Sequence, residues 1–214
     1  MYFRMLHDPA SGELSYLLAD LDAAEAVLID PRGRDLAVLR ALLAEHGLRL
    51  RWILRTHHHD AAQPAERDLL MQLHAPIVQG EAGEGVHAVA DGDILPFGNE
   101  LVRVLATPGH TANDRSYAWR DRLFCGGTLA VQDCPHQPLP AAPQALWDTV
   151  TQRIFTLPDE TLLFAAHARH HRAVSTVLEE RRAHPWFAGT SRDDFLARAA
   201  MPAGRDLLLS SATP

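Results

Sequence analysis

Three consecutive histidines, His57, His58 and His59, follow the run Leu50-Arg51-Trp52-Ile53-Leu54-Arg55. Residues two apart in a strand point to the same side. His57 and His59, placed at the end of a strand, can therefore turn two imidazoles toward one ion. A third histidine, His110, stands in a similar strand-to-loop junction, Thr107-Pro108-Gly109-His110-Thr111. There Pro108 stiffens the turn and Gly109 lets the backbone come close. Three neutral imidazoles and an open fourth position make a zinc site of the catalytic type. Water bound at such an ion is acidified toward neutral pH. His167, after the run 161–165, is a fourth candidate. The same residues also admit a plainer reading. A histidine run in a surface loop can be solvated and idle, and a lone His110 or His167 can be a hydrogen-bonded structural residue. Of the two cysteines, Cys125 reads as a small buried residue, while Cys134 is either that or a reactive thiol.

The elements that must position these residues follow from pattern. Residues 14–18 and 26–29 are short apolar runs that read as strands, stopped by Asp30-Pro31-Arg32-Gly33. Residues 34–46 carry Leu36, Leu39, Leu42 and Leu43 on a helical stripe, with Gly47 placed to end it. The strand 50–55 runs into the histidines, and 64–74 reads as a helix with Pro64 in its first turn. Short strands broken by glycines fill 76–107, and 101–106 leads into His110. A strand pair at 116–119 and 123–125 ends at Gly126-Gly127. The last third predicts helices at 142–155, 173–182 and 193–200, the last capped by Ser191 or its neighbour, with a strand at 161–165. Strands in the middle and helices in each half fit two packed sheets flanked by helices, as one domain over 1–214.

Bulk properties narrow the partners. The chain has 214 residues, 47% apolar and 22% charged, enough to bury a substantial core. A net charge of -7 argues against a nucleic-acid partner, because an acidic surface repels phosphate. Two cysteines make no disulfide framework, and the first twenty residues lack the basic and apolar regions of a signal peptide. No apolar run reaches membrane-spanning length, so a cytoplasmic protein with no membrane partner is expected.

Five segments stand in one order: Ile29-Asp30-Pro31, Thr56-His57-His58-His59, Thr107-Pro108-Gly109-His110-Thr111, Phe124-Cys125-Gly126-Gly127 and Ala165-Ala166-His167. This order resembles the metallo-β-lactamase superfamily. Phe3-Arg4, Tyr16-Leu17-Leu18, Phe155-Thr156-Leu157-Pro158 and Ser191-Arg192-Asp193-Asp194-Phe195 are similar to its persulfide dioxygenase branch, beside glyoxalase II. The resemblance implies an αββα sandwich of two mixed sheets flanked by helices, with a metal site at one edge. It also implies a small thiol-derived partner, such as a glutathione adduct, and a homodimer. Persulfide dioxygenases oxidise glutathione persulfide at one iron; glyoxalase II hydrolyses a glutathione thiolester at two metals.

The chain departs from that pattern where metal is held. The family motif T-H-x-H-x-D-H reads here Thr56-His57-His58-His59-Asp60-Ala61-Ala62, with alanines at the Asp and last His positions. Gly127 stands where a bridging aspartate is expected. Asp133-Cys134-Pro135-His136-Gln137 keeps the family cysteine but lacks the arginine after it. A two-metal hydrolase is therefore not expected, and the two-histidine, one-carboxylate set of a non-haem iron oxygenase also lacks its carboxylate. What remains implies one divalent ion, zinc or iron, on His57, His59 and His110, with reduced affinity or none. His167, Cys134 and Asp60 are the supporting or substrate candidates. Three functions follow: a metal protein with weakened or altered activity on a thiol-derived molecule; an inactive relative kept as a binding or regulatory module; or a thiolester hydrolase that uses Asp60 or His58 in place of the lost ligands.

Overall fold

The computed structural model describes residues 1–57, 63–131, 141–169 and 172–201. The first sheet is built from β1 (Tyr2–His7), β2 (Leu14–Asp20), β3 (Glu25–Ile29), β4 (Arg49–Leu54), β5 (Ile77–Gln79) and β6 (Val86–Ala88), side by side in chain order. Its first two pairings are antiparallel and the next three parallel. The parallel steps carry α1 (Leu36–Glu45) and α2 (Gln63–Met71) as crossovers between β3 and β4 and between β4 and β5.

The second sheet runs β7 (Ile94–Phe97), β8 (Glu100–Ala106), β9 (Arg115–Trp119), β10 (Arg122–Gly126), β11 (Leu162–Arg169) and β12 (Arg172–Thr176), again in chain order. Only β10 and β11 are parallel. Their connection includes α3 (Pro143–Thr149), which continues as one π-helical turn over Val150–Ile154. Two further helices, α4 (Val177–Ala183) and α5 (Arg192–Ala199), follow the last strand.

The layering is written in alternate residues. On β2, Leu14, Tyr16 and Leu18 join Ile29, Phe97, Tyr117, Trp119 and Phe124 between the sheets. Leu17 and Ala19 of the same strand point the other way, to Leu39 and Leu42 of α1. Both faces of β2 are thus buried, which is why the strand reads as a nearly continuous apolar run. On the far side, Leu123 and Cys125 pack with Leu146, Val150, Ile154 and Phe195. The order is helix, sheet, sheet, helix, the expected sandwich. No helix among the described residues is long and apolar enough to cross a membrane.

Two expectations need correction. The segment 173–182 is not one helix: residues up to Thr176 pair with β11, and α4 begins only at Val177, where the Thr176 side chain accepts from the Glu179 N–H. Ala173, Val174 and Ser175 side by side suit a half-buried strand better than a helix. The helix over 142–155 also changes character at Val150, where it widens into a π turn. Ser191 caps α5 as expected, accepting from the Asp194 N–H at 3.2 Å.

Candidate functional site

The candidate residues lie where several strands end. His57 is three residues beyond β4, His110 follows β8, Gly127 follows β10, and His167 lies near the end of β11. The loops are stitched together by backbone. The Arg115 N–H donates to the Thr56 carbonyl at 2.7 Å, and the buried Tyr117 hydroxyl donates to the Arg55 carbonyl at 2.9 Å. The His110 loop is in turn tied to the start of α3. The Ala142 N–H donates to the Gly109 carbonyl at 3.0 Å, and the Thr149 hydroxyl to the Pro108 carbonyl at 2.8 Å.

Two glycines permit this closeness. Gly109 has φ +139, and a Cβ there would lie 2.3 Å from the Leu146 backbone. Gly126 has φ +57, and a Cβ there would lie 2.2 Å from Thr56 Oγ1. Neither position admits a side chain without moving the loop that carries a histidine.

The imidazoles of His57 and His110 meet edge to face, with centroids 5.1 Å apart and planes at 79°. Behind His57 runs a hydrogen-bond chain. Thr56 donates to Asp30 twice, from its N–H at 2.8 Å and its hydroxyl at 2.7 Å. The same hydroxyl oxygen lies 2.8 Å from His57 Nδ1. A hydroxyl has one hydrogen. With that hydrogen on Asp30, the oxygen accepts from Nδ1–H, and Nε2 keeps its lone pair. Asp30 sits in the left-handed region at φ +46, which turns the chain sharply out of β3. Burial pushes its carboxyl up to about 6, against the two Thr56 donors and the nearby Arg55 charge. Asp114, buried below the His110 loop, accepts from the Thr111 N–H at 2.8 Å and from the Thr111 hydroxyl. Burial pushes its carboxyl up to about 7.

Gly127 decides what this site can hold. A Cβ at 127 would lie 2.3 Å from His110 Nε2 and 2.5 Å from its Cδ2. The imidazole occupies the space where a side chain at 127 would begin. A carboxylate-bridged pair of metals does not fit these residues, and neither does a carboxylate at 127 beside His110 in this position. A single ion on imidazoles is compatible with the His57 and His110 rings. Among the described residues, no three His, Cys, Asp or Glu side chains form a cluster that could hold an ion. His59, Asp60 and Cys134 lie outside the described residues.

His167 reaches the same edge from β11. It bridges to Glu13 in the β1–β2 turn, and the Ala168 N–H donates to the Gly12 carbonyl at 2.8 Å. It lines a cavity of about 490 Å³ together with His57, but His110 is not in that lining. The cavity brings in residues that the motifs did not single out: Glu13, Arg32, Arg34, Arg55 and Glu66. Their one sequence signal is a charge set beside a motif, as Arg55 is before Thr56 and Arg32 after Pro31. Cys125 is fully buried, its thiol facing the Leu129 and Phe164 carbonyls at 3.3 Å, and burial pushes it up to about 12. It is the packed residue expected.

Comparison with known proteins agrees with this architecture. The crystal structure of ETHE1 from Myxococcus xanthus superposes with a TM-score of 0.85 at 34% identity, covering 100% of this chain and 97% of that one. The human mitochondrial persulfide dioxygenase ETHE1 is 32% identical over 188 residues, 85% of this chain and 74% of that protein. A hydroxyacylglutathione hydrolase of Aliivibrio salmonicida is 36% identical over 145 residues, 66% of this chain and 56% of that protein. No protein-family model matches the chain. The chain belongs to the metallo-β-lactamase superfamily, in the branch that holds the persulfide dioxygenases and hydroxyacylglutathione hydrolases.

Proposed function

We propose that the protein is a mononuclear metal protein of this branch, with one divalent ion on His57, His59 and His110. Its activity on glutathione-derived thiols is weakened or changed relative to that of its relatives. The observation that carries this reading is the His110 ring set against Gly127, in the space of the expected carboxylate. A chain that had lost only one ligand would leave a gap there; this chain has filled it.

Zinc suits an all-imidazole set better than iron does. When bound, such an ion would act as a Lewis acid and acidify a water. The chain's own residues do the positioning. Asp30 and Thr56 hold His57 with its Nδ1 protonated and Nε2 free of a proton, the form a metal ligand needs. Asp114 holds the Thr111 end of the neighbouring loop, which keeps His110 beside His57. The loss of carboxylates near the ion lowers the negative charge that would stabilise it, so affinity is reduced.

The test is metal content of tag-free protein by inductively coupled plasma mass spectrometry, beside a His57→Ala, His110→Ala double variant. Near-stoichiometric zinc or iron that disappears in the variant supports the site. Its identity then directs the assay, to thiolester hydrolysis for zinc or to oxygen uptake with glutathione persulfide for iron. Negligible metal, with none taken up on addition, would overturn the metal reading in favour of a binding module.

A further inference from the structure

The cavity between the end of β3, α2 and the end of β11 has a charge pattern that the metal site does not explain. Its lining carries Arg32, Arg34 and Arg55 against Glu13, Asp30 and Glu66. Three positive groups and three acidic ones line it, so the walls carry no net formal charge but both signs side by side. Such a cavity does not select a simple anion or cation, and its charged walls are poorly suited to an apolar ligand.

The arginines differ in what they have left to give. Arg32 is buried and committed, bonding Asp35 through Nε and Nη2 and the Glu13 carbonyl through Nη1. Arg55 has a side chain only 12% exposed, and among the described residues its ion pair is to Glu66, through Nη2 at 3.2 Å. Arg34 has a side chain 53% exposed and engages Asp8, Ser11 and Glu13 through Nη2 alone. Among the described residues, Nε and Nη1 of Arg55 and Arg34 have no hydrogen-bond partner. Glu66 spreads its two oxygens over long contacts, 3.3 Å from the Gly33 N–H and 3.2 Å from Arg55. Glu13 Oε1 likewise has no partner among the described residues. Both signs of charge are therefore held in place by existing pairs, with donors and acceptors to spare.

We propose that this cavity binds the zwitterionic amino-acid end of a γ-glutamyl thiol. The α-carboxylate is held by Arg55 and Arg34, the α-ammonium by Glu66 and Glu13, and the thiol portion lies toward His57. A ligand with an adjacent ammonium and carboxylate can meet both signs without breaking a pair. About 490 Å³ lies within the roughly 300–1,000 Å³ of small-ligand pockets. Arg55 is two residues before His57, so a ligand anchored on it is already beside the imidazoles. The inference rests on the reading of the site as one for glutathione-derived thiols and adds which end of the molecule the protein grips.

Titration calorimetry on chelator-treated full-length protein tests it without turnover. The ligands are glutathione, γ-glutamylcysteine, cysteinylglycine and N-acetylglutathione. γ-Glutamylcysteine should bind within about threefold of glutathione, while cysteinylglycine and N-acetylglutathione should bind at least about tenfold more weakly. Arg55→Met and Glu66→Gln should each weaken glutathione binding at least about tenfold. If either variant loses its native circular dichroism, the exposed Arg34→Met replaces it, with a several-fold loss expected. Cysteinylglycine binding as tightly as glutathione would overturn the inference while leaving the thiol reading intact. Unchanged affinity in folded Arg55→Met and Glu66→Gln would overturn it too. No binding of any of the four would sink both the inference and the glutathione-type substrate, whatever the metal content.

Discussion

Thr56 links three functions in one residue. Its N–H and hydroxyl hold Asp30, its oxygen faces His57 Nδ1, and its carbonyl receives the Arg115 N–H. Thr56→Val keeps the shape and the backbone bonds but removes the link between carboxylate and imidazole. Metal affinity, read by chelator competition, should fall by about 10–100-fold, the range for loss of an orienting partner. Thr56→Ser should restore most of it. Equal loss in both variants would assign Thr56 to packing rather than to orientation. Asp114 makes a pH-dependent prediction. Its folded carboxyl titrates near 7, above the unfolded value, so between about pH 4 and 7 the folded state holds a proton that the unfolded state has released. Stability contributed by this group is therefore full at low pH and declines as pH rises through that window. Urea unfolding at pH 5 and pH 8 should show a decline to which Asp114 contributes about 2–3 kcal/mol, at ~1.4 kcal/mol per pK unit. Asp114→Asn should remove that share and leave the smaller decline that Asp30, titrating near 6, adds with the same sign. The carboxylates held below their usual range, such as Asp20 and Glu25, change stability with the opposite sign but at lower pH, outside this comparison.

At the scale of elements, the site depends on two close approaches between loops and their neighbours. Gly109→Ala would place a Cβ 2.3 Å from the backbone of α3 at a φ that side chains rarely adopt. It should destabilise the fold by more than about 3 kcal/mol in chemical denaturation, through overpacking and strain together. Gly127→Asp is a different experiment, because it offers back a ligand type expected at that position. With His110 Nε2 at 2.3 Å from the new Cβ, the imidazole must leave before the carboxylate can enter. The expected outcome is no second metal per chain and weaker binding of the first. A rise toward two metals would show that His110 yields easily and that the site has drifted less than proposed. The helix break at Thr176 shows the same dependence on neighbours. Residues 172–176 join β11 because its free edge offers a ladder of backbone partners, which local helix propensity does not match.

At the scale of the molecule, the two sheets protect what lies between them and the outer helices. Cys125 is enclosed, with its thiol pushed up to about 12. In native protein at pH 8 its peptide should remain unalkylated by iodoacetamide, while denatured protein should be modified there fully. Labelling in the native state would mean that the α3 and α5 side opens readily. Much of this architecture was legible in residue pattern. The apolar runs at β2, β3, β8 and β10 and the order of five motif segments carry the sandwich. The stripe of Leu36, Leu39 and Leu42 carries the first helix. These signals are local, repeating at the period of a strand or helix, and so survive in one dimension.

The site divides differently. Residue identities alone determined that Ala61, Ala62 and Gly127 supply no ligand, because a methyl group or a hydrogen has no lone pair wherever the chain puts it. They also determined that His57 and His110 stand at strand ends. Only the tertiary structure decided that His110 packs into the space beside Gly127, that His167 and His57 line one cavity, and that Glu13, Arg34, Arg55 and Glu66 share that cavity's wall. Those four come from a turn, a 3-10 segment, a strand end and a helix, at separations with no period to read. Their meeting is set by how the β1–β2 turn, the end of β3 and α2 pack at one edge of the sandwich, a property of the assembled sheets and of no single stretch of chain.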